Sequence, residues 1–257
     1  MKVVILAGGL GTRISEESHL IPKPMITIGS KPILWHIMKY YSSYGFNEFI
    51  ILAGYKQHVL KEYFENYHIN HNDVTFNLRT GSKKLESSKN EEDWIVTIID
   101  SGIDTMTGGR LLSLKNHIKD EDFLLTYGDG VSDVELTKLI QLHQSSDALI
   151  TMTAVRPGGR FGTLSISENQ LITDFREKHD EDVSWINGGF MVVSKDVLDL
   201  VEDEQEILEK TTLNKVMNLG KLVAYKHKGY WQCMDTLRDR EKLEDAIENN
   251  HAPWMVW

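Results

Sequence analysis

Val3-Val4-Ile5-Leu6-Ala7-Gly8-Gly9-Leu10-Gly11-Thr12-Arg13 opens as an apolar run and breaks into a loop of three glycines with a hydroxyl and a guanidinium behind it. Unbroken apolar residues suit a strand buried on both faces, as in a parallel sheet. Gly8, Gly9 and Gly11 let the backbone pass close to a ligand, and successive N–H groups can then turn towards phosphate oxygens. A nearby helix start would add a favourable dipole. Thr12 offers a hydroxyl, and Arg13 a fork of donors that spans two oxygens of a triphosphate. Further on, Pro22-Lys23-Pro24 adds a cation whose backbone is fixed on both sides, so it has less freedom to lose on binding.

Two other readings of the glycines fail on their own terms. A dinucleotide fingerprint would need a glycine where Ile14 stands and a ribose-binding acid about twenty residues on, and Thr27 to Lys31 holds no carboxylate. No Gly-x-x-x-x-Gly-Lys-Ser/Thr occurs in the chain. A ligand-free tight turn is the remaining plain reading, and the attached Thr-Arg and Pro-Lys-Pro weigh against it.

Outward from this loop, strand-like and helix-like runs alternate. Strands are predicted at 49–53, 74–78, 96–100, 123–126 and 148–155. Helices are predicted at 33–44, closed by Gly45 as a left-handed cap, and at 58–67, 107–118 and 134–145. Such alternation predicts an α/β fold with a mostly parallel sheet covered by helices on both faces and ligands at the carboxyl ends of the strands. From Arg156 the pattern is mixed, with short strands at 163–166, 171–175 and 186–193. A helix at 207–219, a strand at 222–227 and a helix at 236–249 follow. Residues 80–93 are polar without an apolar face and read as a mobile surface loop, the alternative being an insertion that contacts a partner.

The chain has 257 residues, enough for one large α/β domain with a substantial apolar interior. Its 28 basic and 38 acidic residues give a net charge of −10, which argues against general affinity for nucleic acid or an anionic membrane. Phosphate binding must therefore be local. A single cysteine, Cys233, rules out an intramolecular disulfide and fits a reducing cytoplasm. No apolar run approaches the ~20 residues of a membrane span, so a cytoplasmic protein is expected.

Asp129 follows an apolar strand and lies between Gly128 and Gly130, where a carboxylate is offered into a cleft beside backbone that can approach phosphate. Magnesium usually takes one or two protein carboxylates plus phosphate oxygens, and Asp129 suits that role. Asp235 is the second candidate, or else an ordinary helix N-cap. Thr105 to Arg110 opens a helix and could place hydroxyls, amides and a guanidinium near a base or triphosphate. Gly158-Gly159-Arg160-Phe161-Gly162 is a second basic loop, and either segment could be only a turn. Glu177-Lys178 ends a strand as a pair suited to sugar hydroxyls and a sugar phosphate, or as an exposed ion pair. Asn187-Gly188-Gly189 inside an apolar strand predicts a bulge or a close approach by a ligand. His68 and His71 lack the further ligands of a zinc site, and Trp254 and Trp257 read as an aromatic tail packed on a sheet or a subunit.

Taken together, the glycine loop, Pro22-Lys23-Pro24, Thr107-Gly108-Gly109-Arg110, Gly128-Asp129-Gly130, Gly158 to Gly162, Glu177-Lys178, Ile186 to Phe190, Asp235-Thr236-Leu237-Arg238-Asp239 and Ala252-Pro253-Trp254 resemble the sugar-phosphate nucleotidylyltransferase family, and within it the branch that makes CDP-glucose. The resemblance implies a Rossmann-like nucleotidyltransferase core. It also implies CTP and α-D-glucose 1-phosphate as substrates, Mg²⁺ as cofactor, and a product that feeds dideoxysugars of bacterial lipopolysaccharide O-antigen; separately from the resemblance, a homo-oligomer is expected. Residues 1–257 then form a single domain, with 1–155 mainly for the nucleotide and 156–257 mainly for the sugar phosphate and the C-terminal helical part. The nucleotide would contact Leu6, Ala7, Gly8, Gly9, Leu10, Gly11, Thr12, Arg13, Lys23, Thr105, Arg110 and Gly128. The sugar phosphate would contact Arg160, Glu177, Lys178, Asn187 and Gly188. Asp129 and Asp235 would hold the metal, and these two with Arg13 and Lys23 form the catalytic group. The chain departs from the branch at Gly159 and Cys233, where proline is usual. Rival readings are a uridylyl- or thymidylyltransferase, a cytidylyltransferase with another phosphorylated acceptor, and a non-catalytic sugar-nucleotide sensor.

Overall fold

A computed structural model describes residues 1–11, 14, 21–86, 92–119, 121–156, 163–166, 170, 172–176 and 184–257. The strands are β1 (Val3–Ala7), β2 (Thr27–Ile28), β3 (Lys31–Pro32), β4 (Glu48–Ala53), β5 (Asp73–Asn77), β6 (Ser82–Glu86), β7 (Ile95–Asp100) and β8 (Phe123–Tyr127). They continue with β9 (Gly130–Ser132), β10 (Ile150–Val155), β11 (Thr163–Ile166), β12 (Ile172–Arg176), β13 (Ile186–Val193), β14 (Leu222–Lys226) and β15 (Trp231–Cys233). Seven of them form the main sheet in the order β14-β10-β13-β8-β1-β4-β7. β1 lies between β4 and β8, parallel to both, and β13 runs antiparallel to β8 and β10, which makes the sheet mixed but mostly parallel.

Both faces of the central strand are buried, which explains its unbroken apolar run. Val3, Ile5 and Ala7 join one core cluster, and Val4 and Leu6 join the other. On the first face lies the helix Ile33–Ser43, whose Tyr41 stacks on Phe190 of β13 at 5.8 Å. On the second face pack Leu111, Leu114, Val197, Leu208 and Val216. Each such side chain, fully buried, contributes about 1.5–3 kcal/mol. Among the described residues no helix is long and apolar enough to cross a membrane.

Several local expectations are corrected. The 107–118 segment is a 3₁₀ helix over Gly109–Asn116, and 207–219 divides into a π turn, Leu208–Thr212, and the α-helix Leu213–Asn218. Apolar spacing marks a buried stripe without distinguishing these tighter and wider coils from an α-helix. The helix expected at 58–67 is two helices, Gln57–Glu65 and Tyr67–His71. Within the stretch read as a surface loop, Ser82–Glu86 pairs with Asp73–Asn77 as a hairpin, turned where the Asn77 side chain accepts the Arg79 and Thr80 N–H groups. Every residue of β6 is exposed, so no apolar alternation betrays the strand. Gly45 does adopt the left-handed cap, at φ +85°. The aromatic tail folds back on its own chain, with Trp254 fully buried against Tyr230 at 5.3 Å and Trp257 edge-on to Trp35 at 5.7 Å.

The parallel strands end along one edge of the sheet, which gathers Gly8, Gly54, Ser101 and Gly128. Because β13 runs the other way, its first residues, Ile186 and Asn187, arrive at that edge too.

Candidate active site at the carboxyl edge of the sheet

Lys23 sits in a short 3₁₀ turn, Lys23–Met25, seated by the buried Pro24 and Met25. Its Nζ donates to Asp129 Oδ2 and to Asp235 Oδ1, both at 2.6 Å. Three chain segments make that meeting possible. Gly128 N–H donates to Leu6 O at 3.0 Å, extending the β1–β8 pairing by one residue. A Cβ at position 128 would stand 2.9 Å from Pro24 Cγ and 3.0 Å from Leu6 O, so glycine there lets the Pro-Lys-Pro turn close on the strand end. The short ribbon of β9 and β15, with Met234 N–H on Asp129 O at 2.8 Å, then carries Asp235 alongside Asp129. Burial alone would lower the Lys23 pKa, but the two carboxylates outweigh it and raise the pKa above the ordinary lysine value. The ammonium stays charged.

Asp235 is not the helix cap. Thr236 caps the helix Leu237–Glu248, its Oγ1 accepting from Asp239 N–H while the Asp239 carboxylate accepts from Thr236 N–H. This reciprocal box closes the helix one residue later than expected and leaves the Asp235 carboxylate on Lys23. Thr236→Ala is expected to lower the free energy of unfolding by about 1 kcal/mol, the worth of one such cap, measured by urea denaturation. An unchanged midpoint would show that the helix needs no cap.

Under the glycine loop lies Arg110, only 4% exposed. Nη2 donates to Gly8 O at 3.0 Å, and Nη1 donates to Gly102 O at 2.6 Å and Ser101 Oγ at 2.7 Å. The guanidinium thus ties together the ends of β1 and β7. A side chain at Gly8 would collide with it, and one at Gly54 would meet Nη1 at 2.7 Å. Burial lowers the Arg110 pKa against the opposing pull of Asp100. Gly108 and Gly109 donate to Glu206 O at 2.9 and 3.0 Å, and a Cβ on Gly109 would strike the Glu204 backbone. These two glycines dock the turn on residues 204–206. Thr105 folds over Gly102, which has φ +90°. Among the described residues nothing stands where a Gly9 side chain would, and Leu10 is 54% exposed.

The bulge expected at Asn187-Gly188-Gly189 is present: the β10–β13 register shifts between Met152 and Ala154, and Gly189 takes φ +72°. Trp231 Nε1 donates to Gly188 O at 2.7 Å, and Asn187 Nδ2 donates to the Tyr127 hydroxyl at 3.0 Å. Tyr127 in turn donates to Glu209 Oε1 at 2.6 Å. Burial, then the Glu209 charge, raises the Tyr127 pKa and keeps the phenol a donor. Tyr127, Glu209 and Trp231 were not anticipated. Tyr127 and Trp231 look like ordinary strand residues, and Glu209 lies in a π turn without a periodic signature.

The structure therefore brings Leu6 to Gly11, Lys23, Thr105, Arg110, Gly128, Asp129, Asn187, Gly188 and Asp235 to one edge. Thr12, Arg13, Arg160, Glu177 and Lys178 lie outside the described residues. Among the described residues no cluster of three metal-binding side chains forms. Asp129 and Asp235 converge on the Lys23 ammonium, and carboxylate oxygens are donors of the kind hard divalent ions take.

Residues 2–248 match the nucleotidyl transferase family. The glucose-1-phosphate cytidylyltransferase of Salmonella typhi is 47% identical over 258 residues, covering all of both chains. The D-glycero-alpha-D-manno-heptose 1-phosphate guanylyltransferase of Campylobacter jejuni is 32% identical over 197 residues, or 77% of each chain. Among solved structures, HddC from Yersinia pseudotuberculosis complexed with GMP-PN superposes with a TM-score of 0.69 at 25% identity, covering 96% of this chain and 99% of its own.

Proposed function

The chain belongs to the nucleotidyl transferase family, and from that premise we propose that it transfers the cytidylyl group of CTP to α-D-glucose 1-phosphate, releasing CDP-glucose and pyrophosphate. The observation that carries the chemistry is the Lys23 ammonium held between Asp129 and Asp235 at the carboxyl edge. The choice of CTP and of glucose follows the full-length likeness to the Salmonella enzyme.

In this reading an oxygen of the glucose 1-phosphate attacks the α-phosphorus of CTP in line. The new P–O bond forms as the bond to the β-phosphate oxygen breaks, and the electron pair leaves on pyrophosphate. A phosphomonoester loses its second proton near pH 6, so the nucleophile is already ionised and needs no general base. Positioning and charge stabilisation remain for the protein to supply. The glycine loop, with Thr12 and Arg13, cradles the triphosphate, and Lys23 neutralises charge growing on the leaving group. Asn187, Gly188, Arg160, Glu177 and Lys178 orient the acceptor. The carboxylates of Asp129 and Asp235 fit Mg²⁺, which when bound supplies Lewis-acid neutralisation of the phosphates. The enzyme works in the cytoplasm as a homo-oligomer.

Incubation with CTP, glucose 1-phosphate and Mg²⁺ is expected to give CDP-glucose, identified by mass, with one pyrophosphate per product. A chelator is expected to stop turnover and added Mg²⁺ to restore it. Pyrophosphate release that does not depend on glucose 1-phosphate would contradict the acceptor assignment.

A further inference from the structure

Glu209 is exposed near the carboxyl edge of the sheet, yet both of its carboxylate oxygens are engaged. Oε1 accepts from the Tyr127 hydroxyl at 2.6 Å and Oε2 from Thr107 Oγ1 at 2.8 Å. An ionised carboxylate can only accept, so both neighbours donate. Thr107 Oγ1 already accepts the Leu208 N–H at 3.0 Å, and the Tyr127 oxygen accepts from Asn187 Nδ2 at 3.0 Å. Each hydroxyl has one proton to give, and Glu209, when ionised an acceptor only, receives both.

The polarity of this chain of bonds reaches Asn187. At its far end Gly189 N–H, which can only donate, binds Asn187 Oδ1 at 2.9 Å. The amide is thus held from two sides, and among the described residues one Nδ2 proton and one Oδ1 lone pair have no partner. A fixed carboxylate repels phosphate, so its place near the carboxyl edge suits the hydroxyl-bearing part of a substrate. Glu209 also stands in the π turn Leu208–Thr212, a kind of irregularity that recurs at functional sites.

Building on the reading of Asn187 and Gly188 as acceptor contacts, we infer that Glu209 is a positioning residue for the acceptor sugar: it fixes the direction of the Tyr127 hydrogen bond and so aims the Asn187 amide at sugar hydroxyls. It touches no reacting atom. Its effect falls on how the acceptor is held, while the nucleotide keeps its own contacts on the glycine loop and Lys23.

Glu209→Gln tests this without changing shape. A carboxamide turns one of the two acceptors into a donor, so the hydroxyl proton of either Tyr127 or Thr107 loses its acceptor. KM for glucose 1-phosphate is expected to rise about tenfold, the scale of one unmatched hydrogen bond, while KM for CTP stays within about twofold. Tyr127→Phe is expected to raise the acceptor KM similarly, and adding Glu209→Gln to it to raise that KM by less than about twofold more, since residues of one network do not act additively. Equal rises in both KM values, an unchanged acceptor KM in Glu209→Gln, or additive effects in the double variant would overturn the inference alone. A wild-type protein that does not turn over CTP with glucose 1-phosphate would overturn the proposed function and, with it, the ground for this role.

Discussion

Lys23→Ala is expected to lower kcat by roughly 10²- to 10³-fold, the cost of removing one preorganised donor from a transition state that builds charge. The geometry gives the reason. The ammonium stands 2.6 Å from each of two carboxylates, on a turn fixed by Pro22 and Pro24, with a pKa raised above the ordinary lysine value. It is a permanent charge at a fixed place, and a transferred phosphoryl group is stabilised by charge already in position. Alanine would also leave Asp129 and Asp235 facing each other without the cation between them. Since the loss falls on the transition state, it is expected in kcat measured by stopped-time pyrophosphate release at saturating substrates and Mg²⁺. A rate within about threefold of wild type would remove Lys23 from the mechanism.

Arg110→Ala is expected to be the most damaging substitution for stability among the site residues. The side chain is buried and donates to Gly8 O, Gly102 O and Ser101 Oγ. Its removal takes a donor from each of them, leaving Gly8 O with only the long Tyr55 N–H contact at 3.4 Å, at about 1–3 kcal/mol for each group left unsatisfied. Partial relaxation brings the expected total to about 3 kcal/mol, or roughly 6–12 °C in Tm for a chain of this size. The same clamp holds Gly8, so KM for CTP is expected to rise as well. Calorimetry and kinetics together separate two roles for Arg110. A large fall in Tm marks the clamp beneath the loop, whereas an unchanged Tm with weakened CTP binding would mark a direct nucleotide contact and contradict the clamp.

Some of this was legible because local chemistry leaves little choice. Val3 to Ala7 must be buried on both faces, Gly45 must end its helix, and Asn187-Gly188-Gly189 must disturb its strand. Strand order was not legible, since each strand reads apolar whichever neighbour it takes. Antiparallel β13 therefore looked like any other short strand in a mixed region. Gly108 and Gly109 read as part of a turn or a nucleotide contact, and only the fold shows that they pack against the backbone of Glu204 and Glu206. Asp235 and Thr236 were both capping residues by type, and the choice between them rested on the carboxylate of Asp239 one turn on. Glu209 gave no sign because its role depends on Thr107 and Tyr127, each more than eighty residues away in sequence.

The likeness to relatives constrains the base less than the fold, since a guanylyltransferase stands at 32% identity where a cytidylyltransferase stands at 47%. Cytosine offers an N4 donor where uracil offers an acceptor, and a pocket built for one leaves a polar group unpaired with the other. The decisive measurement is kcat/KM for pyrophosphate release with CTP, UTP, dTTP, ATP and GTP, each paired with glucose 1-phosphate and Mg²⁺. CTP is expected to lead every other nucleotide by at least about 10²-fold. A different nucleotide in the lead would contradict the account, leaving the fold and the in-line mechanism but not the cytidylyl assignment.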